Sequence, residues 1–313
     1  MNAPFIALTG ATGFIGRHLL NELPRRGYRV RVLLRRPSEV PAGASSAVIG
    51  DIASPHNMAA ALRDVDIVIH SAGLAHAMSG RPEDDYRTIN TDATVRLAQA
   101  AERAGVKRFV FLSSIRAQTG PVADGVVTED REPQPTDPYG RSKLEAERGL
   151  GALGLDWTAL RPVLVYGPGV KGNMAALLSL AQSPWPLPLG GLTARRSLLS
   201  LDNLAAAVDT VVGAPGPLRR PFIVADPEPV TIPEMVTALR EGLGRGPGLV
   251  PVPSFLLRGA AALAGRREAY ERLAGSLVAS PQALRDLGWQ PVSSTRDALA
   301  ELARREGAPA SGA

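Results

Sequence analysis

The chain has 313 residues, 45% of them hydrophobic and 21% charged, with a formal net charge of +5 at pH 7. It contains no cysteine, so disulfides, thiolate metal sites and a cysteine nucleophile are excluded. The sequence pI is about 9.9, but the basic residues are scattered among acidic ones, which argues against a nucleic-acid partner.

Histidine spacing and hydropathy argue against a metal site and a membrane span. Residues 1–5 have no basic segment or long apolar run, so they do not resemble a signal peptide. The most apolar later segment, 255–263, contains Arg258 and has about half of the ~20 residues that a span needs. We expect a cytoplasmic protein without membrane insertion. No H-x-H or H-x-x-x-H spacing links the four histidines, His18, His56, His70 and His76.

Short apolar runs alternate with segments of helical period over the first 165 residues. Continuous apolar strands separated by helices predict an α/β fold with a doubly wound parallel sheet. The predicted strands are Phe5–Leu8, Val30–Leu34, Ala47–Ile49, Ile67–Ile69, Phe109–Leu112 and Thr158–Leu160. The predicted helical segments between them are Ile15–Leu23, Met58–Leu62, Thr91–Ala104 and Ser142–Leu153.

After Val163 the regular alternation of apolar strands and helical segments ends, and glycine and proline become frequent. A strand-like stretch at Ser197–Leu201 leads to a helix from Asp202, and Phe222–Val224 is predicted to return to the sheet. Further helices are predicted over Pro233–Leu243, Phe255–Gly265 and Pro281–Leu287. We therefore predict a sheet domain of 1–165 with 197–225, a smaller and mainly C-terminal α/β lobe of 166–196 with 226–308, and a frayed tail at 309–313.

A glycine-rich turn follows the first predicted strand and leads into the first helix. Its sequence, T-G-A-T-G-F-I-G over residues 9–16, spaces three glycines as G-x-x-G-x-x-G. Glycines allow the backbone to approach a pyrophosphate, and a helix N-terminus offers free N–H groups to it. The motif predicts that the sheet domain is a Rossmann domain binding a dinucleotide. The predicted contacts are Gly10, Thr12, Gly13, Phe14, Ile15 and Gly16.

Two arginines, Arg35 and Arg36, end the second strand at the place where a carboxylate would accept the ribose hydroxyls of NAD. Guanidinium groups suit a 2′-phosphate, which favours NADP(H), with NAD(H) as the alternative. Both arginines could instead be solvated residues in an arginine-rich chain. Asp51 and Ile52 are predicted to contact the adenine, and Ala72 and Gly73 to leave room for the ribose on the nicotinamide side.

Tyr139 and Lys143 lie four residues apart on a predicted helix, and therefore on one face of it. A phenol is a poor base at neutral pH, but a neighbouring ammonium stabilises phenolate and lowers the phenol pKa. Such a pair can exchange a proton with a carbonyl, and a serine hydroxyl from Ser113 or Ser114 can hold the same oxygen. The alternative is an exposed helix start after Pro138.

These motifs, with R-P-V-L-V-Y-G-P-G at residues 161–169, resemble the extended short-chain dehydrogenase/reductases, the NAD(P)-dependent epimerase/dehydratase group. The resemblance implies a sugar-nucleotide ligand, and Ser114 (rather than Ser113), Tyr139 and Lys143 match the catalytic trio. It further implies that Pro162 and Val163 pass the nicotinamide and that Asn90 is a structural polar site. It suggests a homodimer through helices near 91–104 and 142–153.

Two later stretches resemble the nucleotide-sugar contacts of that group, and in combination they resemble more specifically the bacterial UDP-4-keto-6-deoxy-N-acetylglucosamine 4-reductases. That resemblance implies a phosphate or base contact for Asn173 and a diphosphate contact for Arg196, with Arg195 less favoured. Dehydratases carry an Asp–Glu pair directly after the catalytic serine or threonine. Here Ile115 and Arg116 occupy those positions, so dehydration is not expected.

The predicted activity is NADPH-dependent reduction of a 4-keto sugar nucleotide, such as a UDP-4-keto-6-deoxy-N-acetylhexosamine, with Tyr139 as proton donor. Lys143 would hold the nicotinamide ribose and lower the tyrosine pKa, while Ser114 would polarise the ketone. One alternative is a UDP-sugar 4-epimerase with tightly bound NAD. Another, of a different class, is a regulatory protein that binds a dinucleotide without turnover.

Overall fold

The structure, a computed structural model, describes residues 3–75, 81–263, 265, 270 and 274–307. His76 and the tail predicted at 309–313 lie outside these residues. Among the residues described, no helix combines the length and apolar composition that a membrane crossing requires. The same residues contain no group of three or more potential metal ligands.

Seven parallel strands form the central sheet, in the order β3-β2-β1-β4-β5-β7-β11. This order confirms the predicted doubly wound sheet, and it reverses direction between β1 and β4, where such folds bind ligands. The last strand is the one predicted to return near residue 222. The sheet strands are β1 (Phe5–Thr9), β2 (Arg29–Leu34), β3 (Ala44–Val48), β4 (Ile67–His70), β5 (Arg108–Leu112), β7 (Trp157–Pro162) and β11 (Arg220–Val224).

Short strands form three further two-stranded pairs outside the central sheet. A parallel pair joins β8 (Leu164–Tyr166) to β10 (Leu198–Ser200). The antiparallel pair is β9 (Arg195–Arg196) with β12 (Val230–Thr231), and β6 (Val126–Val127) pairs in parallel with β13 (Val278–Ala279). The β6–β13 pair joins the predicted sheet domain to the predicted smaller lobe, whereas β9 and β12 both belong to that lobe.

Helices cover both faces of the sheet, and each face buries its own apolar cluster. α1 and α7 pack on one face, and α2, α4 and α5 pack on the other, because each carries buried apolar residues at helical spacing. The helices are α1 (Phe14–Arg25), α2 (Met58–Ala61), α3 (Glu83–Tyr86), α4 (Ala93–Arg103), α5 (Pro138–Gly151), α6 (Gly172–Gln182), α7 (Leu201–Gly213), α8 (Ile232–Gly242), α9 (Ser254–Leu263), α10 (Gln282–Asp286) and α11 (Thr295–Gly307).

A third apolar cluster lies among α6, α8 and α11, away from the sheet. It matches the predicted smaller lobe, whose boundaries stay a prediction. The sequence patterns did not indicate α6 or α11, although both contribute to this core. The helix predicted over Thr91–Ala104 also differs, because its first residues belong to a π-helical turn, Arg87–Asp92, that precedes α4.

Candidate active site

The glycine-rich turn closes tightly between β1 and α1. Gly10 has a φ of +72°, and a Cβ there would lie 2.6 Å from the backbone nitrogen of Ala72. A Cβ on Gly16 would lie 2.1 Å from the carbonyl oxygen of Gly10, so neither position accepts a side chain. Gly13 is the N-cap residue of α1 and provides no side-chain cap, so N–H groups at the start of the helix are available to a phosphate. The turn therefore fits the pyrophosphate of a dinucleotide.

The ends of β1 and β4 meet at the point where the strand order reverses. The Thr9 hydroxyl lies 2.7 Å from His70 Nδ1 and accepts a hydrogen bond of 3.3 Å from the Ala72 N–H. Gly73 follows, and a Cβ there would lie 2.8 Å from Asn90 Oδ1 and 3.5 Å from Lys143 Nζ. Gly73 thus packs against Asn90 close to Lys143, and the ribose contact predicted for Ala72 and Gly73 stays a prediction.

Asn90 lies in the π-helical turn and is fully buried. Its Oδ1 accepts a hydrogen bond of 2.8 Å from the Leu74 N–H, and its Nδ2 donates to the Ser142 hydroxyl at 3.1 Å. The Ser142 hydroxyl in turn donates to the Tyr139 carbonyl at 2.8 Å. Asn90 therefore connects the chain after β4 to the helix of the candidate trio.

Tyr139 occupies the first turn of α5 because two features start the helix directly before it. Asp137 caps the helix, its Oδ1 accepting a hydrogen bond of 2.7 Å from the Gly140 N–H, and Pro138 fills the first helical position. Asp137 also forms an ion pair with Arg116, which belongs to a short 3-10 helix, Ile115–Ala117. The helix thus starts four residues earlier than the segment predicted from periodicity, Ser142–Leu153.

Ser114 rather than Ser113 faces the tyrosine. A hydrogen bond joins the side chains of Ser114 and Tyr139, and the Ser114 oxygen also accepts from the Arg116 N–H at 3.1 Å. The Ser113 hydroxyl instead donates to Glu147. Neighbouring residues at the end of an extended strand point to opposite sides, so only one of the two serines can reach the phenol.

Lys143 is buried one helical turn after Tyr139. Its Nζ donates a hydrogen bond of 2.9 Å to the Leu112 carbonyl and lies 4.5 Å from the centre of the Phe111 ring. Burial lowers the pKa of Lys143 to about 8, and the charge of Glu147 opposes that shift. The ammonium therefore stays charged at neutral pH but loses its proton in mild alkali.

Tyr139 differs from the sequence-based expectation in its pKa. Burial raises the pKa of the phenol, and the hydrogen bond from Ser114 only partly offsets that rise. The Lys143 ammonium lies 5.9 Å from the ring centre and is engaged by the Leu112 carbonyl. The phenol is therefore protonated at neutral pH, as a proton donor must be.

Arg35 and Arg36 extend beyond the end of β2, where both are exposed. Arg35 forms an ion pair of 3.0 Å with Asp51, so the predicted phosphate and adenine contacts lie side by side. Ile52 is partly buried beside them and packs on the apolar cluster of that face. At the other end of the predicted cofactor path, Pro162 and Val163 are buried at the end of β7.

The two predicted sugar-nucleotide contacts lie on separate elements of the smaller lobe. Asn173 is exposed in the first turn of α6. Arg196 is half-buried on β9, and burial lowers the pKa of its guanidinium. Arg195 donates to the Pro229 carbonyl at 2.9 Å and pairs with Glu234 at 3.5 Å. Arg195 is thus engaged within the lobe, and the diphosphate contact of Arg196 stays a prediction.

Sequence reasoning missed a buried polar group behind the trio, consisting of Glu147, Arg161 and Gln118. Arg161 Nε lies 3.1 and 3.2 Å from the two carboxylate oxygens of Glu147, and its guanidinium also donates to Gln118 Oε1. The one sequence signal was Glu147, a charge four residues after Lys143 on the buried face of α5.

Comparison with known proteins adds to this geometry. Residues 6–224 match the NAD dependent epimerase/dehydratase family. The chain belongs to that family. Family membership confirms the predicted resemblance and shows an enzyme of the nicotinamide-dependent oxidoreductase and epimerase class, which uses a Rossmann domain.

Relatives of this family member cover nearly its whole length. It is 35% identical to a UDP-glucose 4-epimerase of Vibrio cholerae, over 96% of this chain and 94% of that protein. The structure of MoeE5 in complex with UDP-glucose and NAD is 29% identical, covers 97% of this chain and 99% of its own, and superposes with a TM-score of 0.71. A UDP-N-acetylglucosamine 4-epimerase of Bacillus cereus shares the fold at 20% identity, covering 96% of this chain and 98% of its own, with a TM-score of 0.77.

Proposed function

We propose that this family member reduces the 4-keto group of a UDP-linked sugar with NADPH. The observation that carries the proposal is the hydrogen bond between the side chains of Ser114 and Tyr139, which places a proton donor beside the group that would hold the ketone oxygen. A ketone that accepts hydride must also accept a proton on its oxygen, and Tyr139 is the group that can donate it. Ser114, hydrogen-bonded to Tyr139, would hold the ketone oxygen beside that proton.

The residues of the glycine turn would hold the cofactor's pyrophosphate, and those around Gly73 and Lys143 its nicotinamide ribose. A bound nicotinamide would supply the hydride. Lys143 would donate to the ribose hydroxyls in place of the Leu112 carbonyl, which it contacts at 2.9 Å. Asn173 and Arg196 would bind the nucleotide diphosphate, the latter through its guanidinium. The substrate would thus be oriented with its keto carbon toward Tyr139.

A UDP-sugar 4-epimerase is the second candidate, and a specific comparison favours it. The Vibrio cholerae relative at 35% identity is a UDP-glucose 4-epimerase. An epimerase uses the same Ser–Tyr–Lys trio but must first remove a proton from a sugar hydroxyl, a step that needs Tyr139 as phenolate. The same trio returns that proton in the second half of epimerisation, so the trio fits both candidates. We favour reduction because the exposed Arg35 and Arg36 beyond β2 suit NADPH, which a reductase consumes.

The two functions differ in whether cofactor is consumed. The purified protein is given UDP-4-keto-6-deoxy-N-acetylglucosamine and NADPH, and the absorbance of reduced nicotinamide is followed, with Tyr139→Phe as control. Loss of one NADPH per sugar is the expected result. Interconversion of UDP-glucose and UDP-galactose without consumption, with NAD released only on denaturation, would establish the epimerase. Cofactor binding without either reaction would indicate a regulatory dinucleotide-binding protein.

A further inference from the structure

The short segment that carries Ser114 is held at both of its ends by one buried ion pair. At the first end, the Ser113 hydroxyl donates to Glu147. At the second end, the Arg161 guanidinium donates to the Gln118 side chain. Arg161 and Glu147 pair with each other, with Nε 3.1 Å from Oε1. Ser114 therefore lies in a segment, residues 113–118, whose two ends contact the two members of this pair. We call this segment the bridge and the two contacts its supports.

The pair also connects that bridge to the helix of the other two candidate catalytic residues. Glu147 follows Lys143 by four residues and Tyr139 by eight, so all three project from one face of α5. Arg161 comes from β7 and the bridge follows β5. One contact network thus joins the neighbouring strands β5 and β7 to the helix of Tyr139 and Lys143, at the point where Ser114 must meet Tyr139.

Stability alone is a poor reason for this network. Glu147 is 4% exposed, Arg161 3% and Gln118 2%. A buried ion pair loses much of its attraction to desolvation, and apolar residues of similar volume stabilise a core as well or better. The desolvation cost of the Glu147–Arg161 pair is explained if the pair maintains the geometry and charge of the adjacent Ser114, Tyr139 and Lys143.

We propose that Glu147 and Arg161 are positioning residues, which hold Ser114 in register with Tyr139 and keep the Lys143 ammonium charged in a site shielded from water. Glu147 acts through Ser113 on geometry and through its carboxylate on Lys143. Arg161 holds that carboxylate in place and fixes the far end of the Ser114 segment through its hydrogen bond to Gln118. The proposal rests on the function proposed above, for which these residues support the trio.

The groups around Lys143 agree with an electrostatic role for Glu147. Glu147 on the same helix raises the pKa of Lys143 against the larger effect of burial, which lowers it to about 8. On β4, burial and the charge of Lys143 lower the pKa of His70 to about 3, so the imidazole is neutral. On the Tyr139 side of α5, Arg116 is paired with Asp137. Glu147 is thus the carboxylate that supports the ammonium.

The electrostatic part is tested without any substrate. Lysine labelled with 13C at Cε is incorporated, and the pKa of Lys143 is measured by NMR. The chain has two other lysines, Lys107 and Lys171, so the Lys143 signal is assigned as the one that Lys143→Met lacks. In Glu147→Gln, which keeps the shape of the side chain, that pKa should fall by about one unit or more. An unchanged pKa would overturn the electrostatic role. This result stands whether or not the protein reduces a keto sugar.

The geometric part uses Ser113→Ala, which removes one support without changing any charge and keeps the test open if Glu147→Gln does not fold. The kcat should fall about tenfold, with NADPH affinity, KM and the Lys143 pKa unchanged. A wild-type kcat in a folded variant would overturn the positioning role. Asp156→Asn is the matched control, because it breaks another largely buried ion pair, 2.6 Å to Arg108 at the opposite end of the sheet. It should lower the melting temperature and leave kcat and the Lys143 pKa unchanged.

Discussion

The guanidinium of Arg35 lies 3.0 Å from the carboxylate of Asp51, where β2 and the turn after β3 reach the same edge of the sheet. The two side chains are 72% and 44% exposed. An exposed ion pair of this kind contributes about 0–1 kcal/mol, so a phosphate can replace the carboxylate as the partner of Arg35. Asp51 would then be released toward the adenine amine.

This relationship predicts the cofactor preference. The wild-type protein should bind NADPH more tightly than NADH, and Arg35→Asp should reverse the order, because a carboxylate repels the 2′-phosphate and accepts the ribose hydroxyls. Fluorescence titration of both cofactors measures the change. Arg25→Gln is the control, since Arg25 is an exposed, ion-paired arginine at the far end of α1. If NADPH and NADH bind with equal affinity to the wild-type protein, and equally to Arg35→Asp, the prediction is contradicted.

A methyl group on Gly16 should abolish cofactor binding. The Cβ of Gly16→Ala would lie 2.1 Å from the Gly10 carbonyl oxygen, so the turn and the start of α1 must separate. We expect a loss of about 1–3 kcal/mol in unfolding free energy and loss of NADPH binding by titration. Gly213→Ala is the control, because no atom lies within 4 Å of its Cβ. A Gly16→Ala protein with normal cofactor affinity would refute the assignment of this turn to the pyrophosphate.

Loss of the Tyr139 hydroxyl should slow the chemical step and spare the cofactor. Tyr139→Phe keeps the ring but removes the proton donor, so kcat should fall by at least about 100-fold with unchanged NADPH affinity. Tyr28→Phe is the control; Tyr28 donates to Asp209 at 2.7 Å, remote from the trio. Near-normal turnover of Tyr139→Phe would show that the proton comes from another group.

Lys143→Met should impair both NADPH binding and kcat, because Lys143 would donate to the ribose as well as support the proton transfer. In the wild type, NADPH affinity should fall as the pH rises through the pKa of Lys143, about 8, since the charged form is the donor. Titrations from neutral to alkaline pH measure this loss, and Lys143→Met should not show it. A flat wild-type profile would remove the role of the ammonium in binding.

His70 should make the protein sensitive to acid. The Thr94 hydroxyl donates to the Asn90 carbonyl at 2.6 Å, so it accepts from His70 Nε2–H at 2.9 Å, and the imidazole is neutral. Burial and Lys143 lower its pKa from 6.5 to about 3. Between these two pKa values the unfolded state therefore binds more protons than the folded state. The free energy of unfolding should decrease as the pH falls, by up to about 1.4 kcal/mol per pH unit.

His70→Gln removes this titration. Although the variant should be less stable at pH 7, its unfolding free energy should change less steeply between neutral pH and pH 4 than that of the wild type. Urea unfolding at several pH values measures both slopes. His56→Gln serves as the control, because His56 is exposed in the loop after β3. Parallel slopes for wild type and His70→Gln would count against a buried neutral imidazole.

Patterns within one element were predicted well from the sequence, whereas patterns that need two elements were not. The seven sheet strands and the part of α5 from Ser142 onward follow from apolar period, whereas the first turn of α5, with Tyr139, depends on Asp137 and Pro138. α6 and α11 were missed; both contribute to the apolar cluster of the smaller lobe, away from the sheet. The Glu147–Arg161 pair was missed because its members are fourteen residues apart and meet only when α5 packs beside β7.

The sequence by itself determined the glycine turn and the Tyr–Lys pair, since each depends on spacing within a few residues of one turn or one helix. Spacing alone left Ser113 and Ser114 open, and the tertiary structure agrees with the resemblance that favoured Ser114, because Ser114 contacts the phenol and Ser113 contacts Glu147. It also decided the direction in which the pKa of the phenol shifts. Burial outweighs the effect expected of the ammonium, and burial is a property of the packed elements around Tyr139 rather than of its neighbours in the chain.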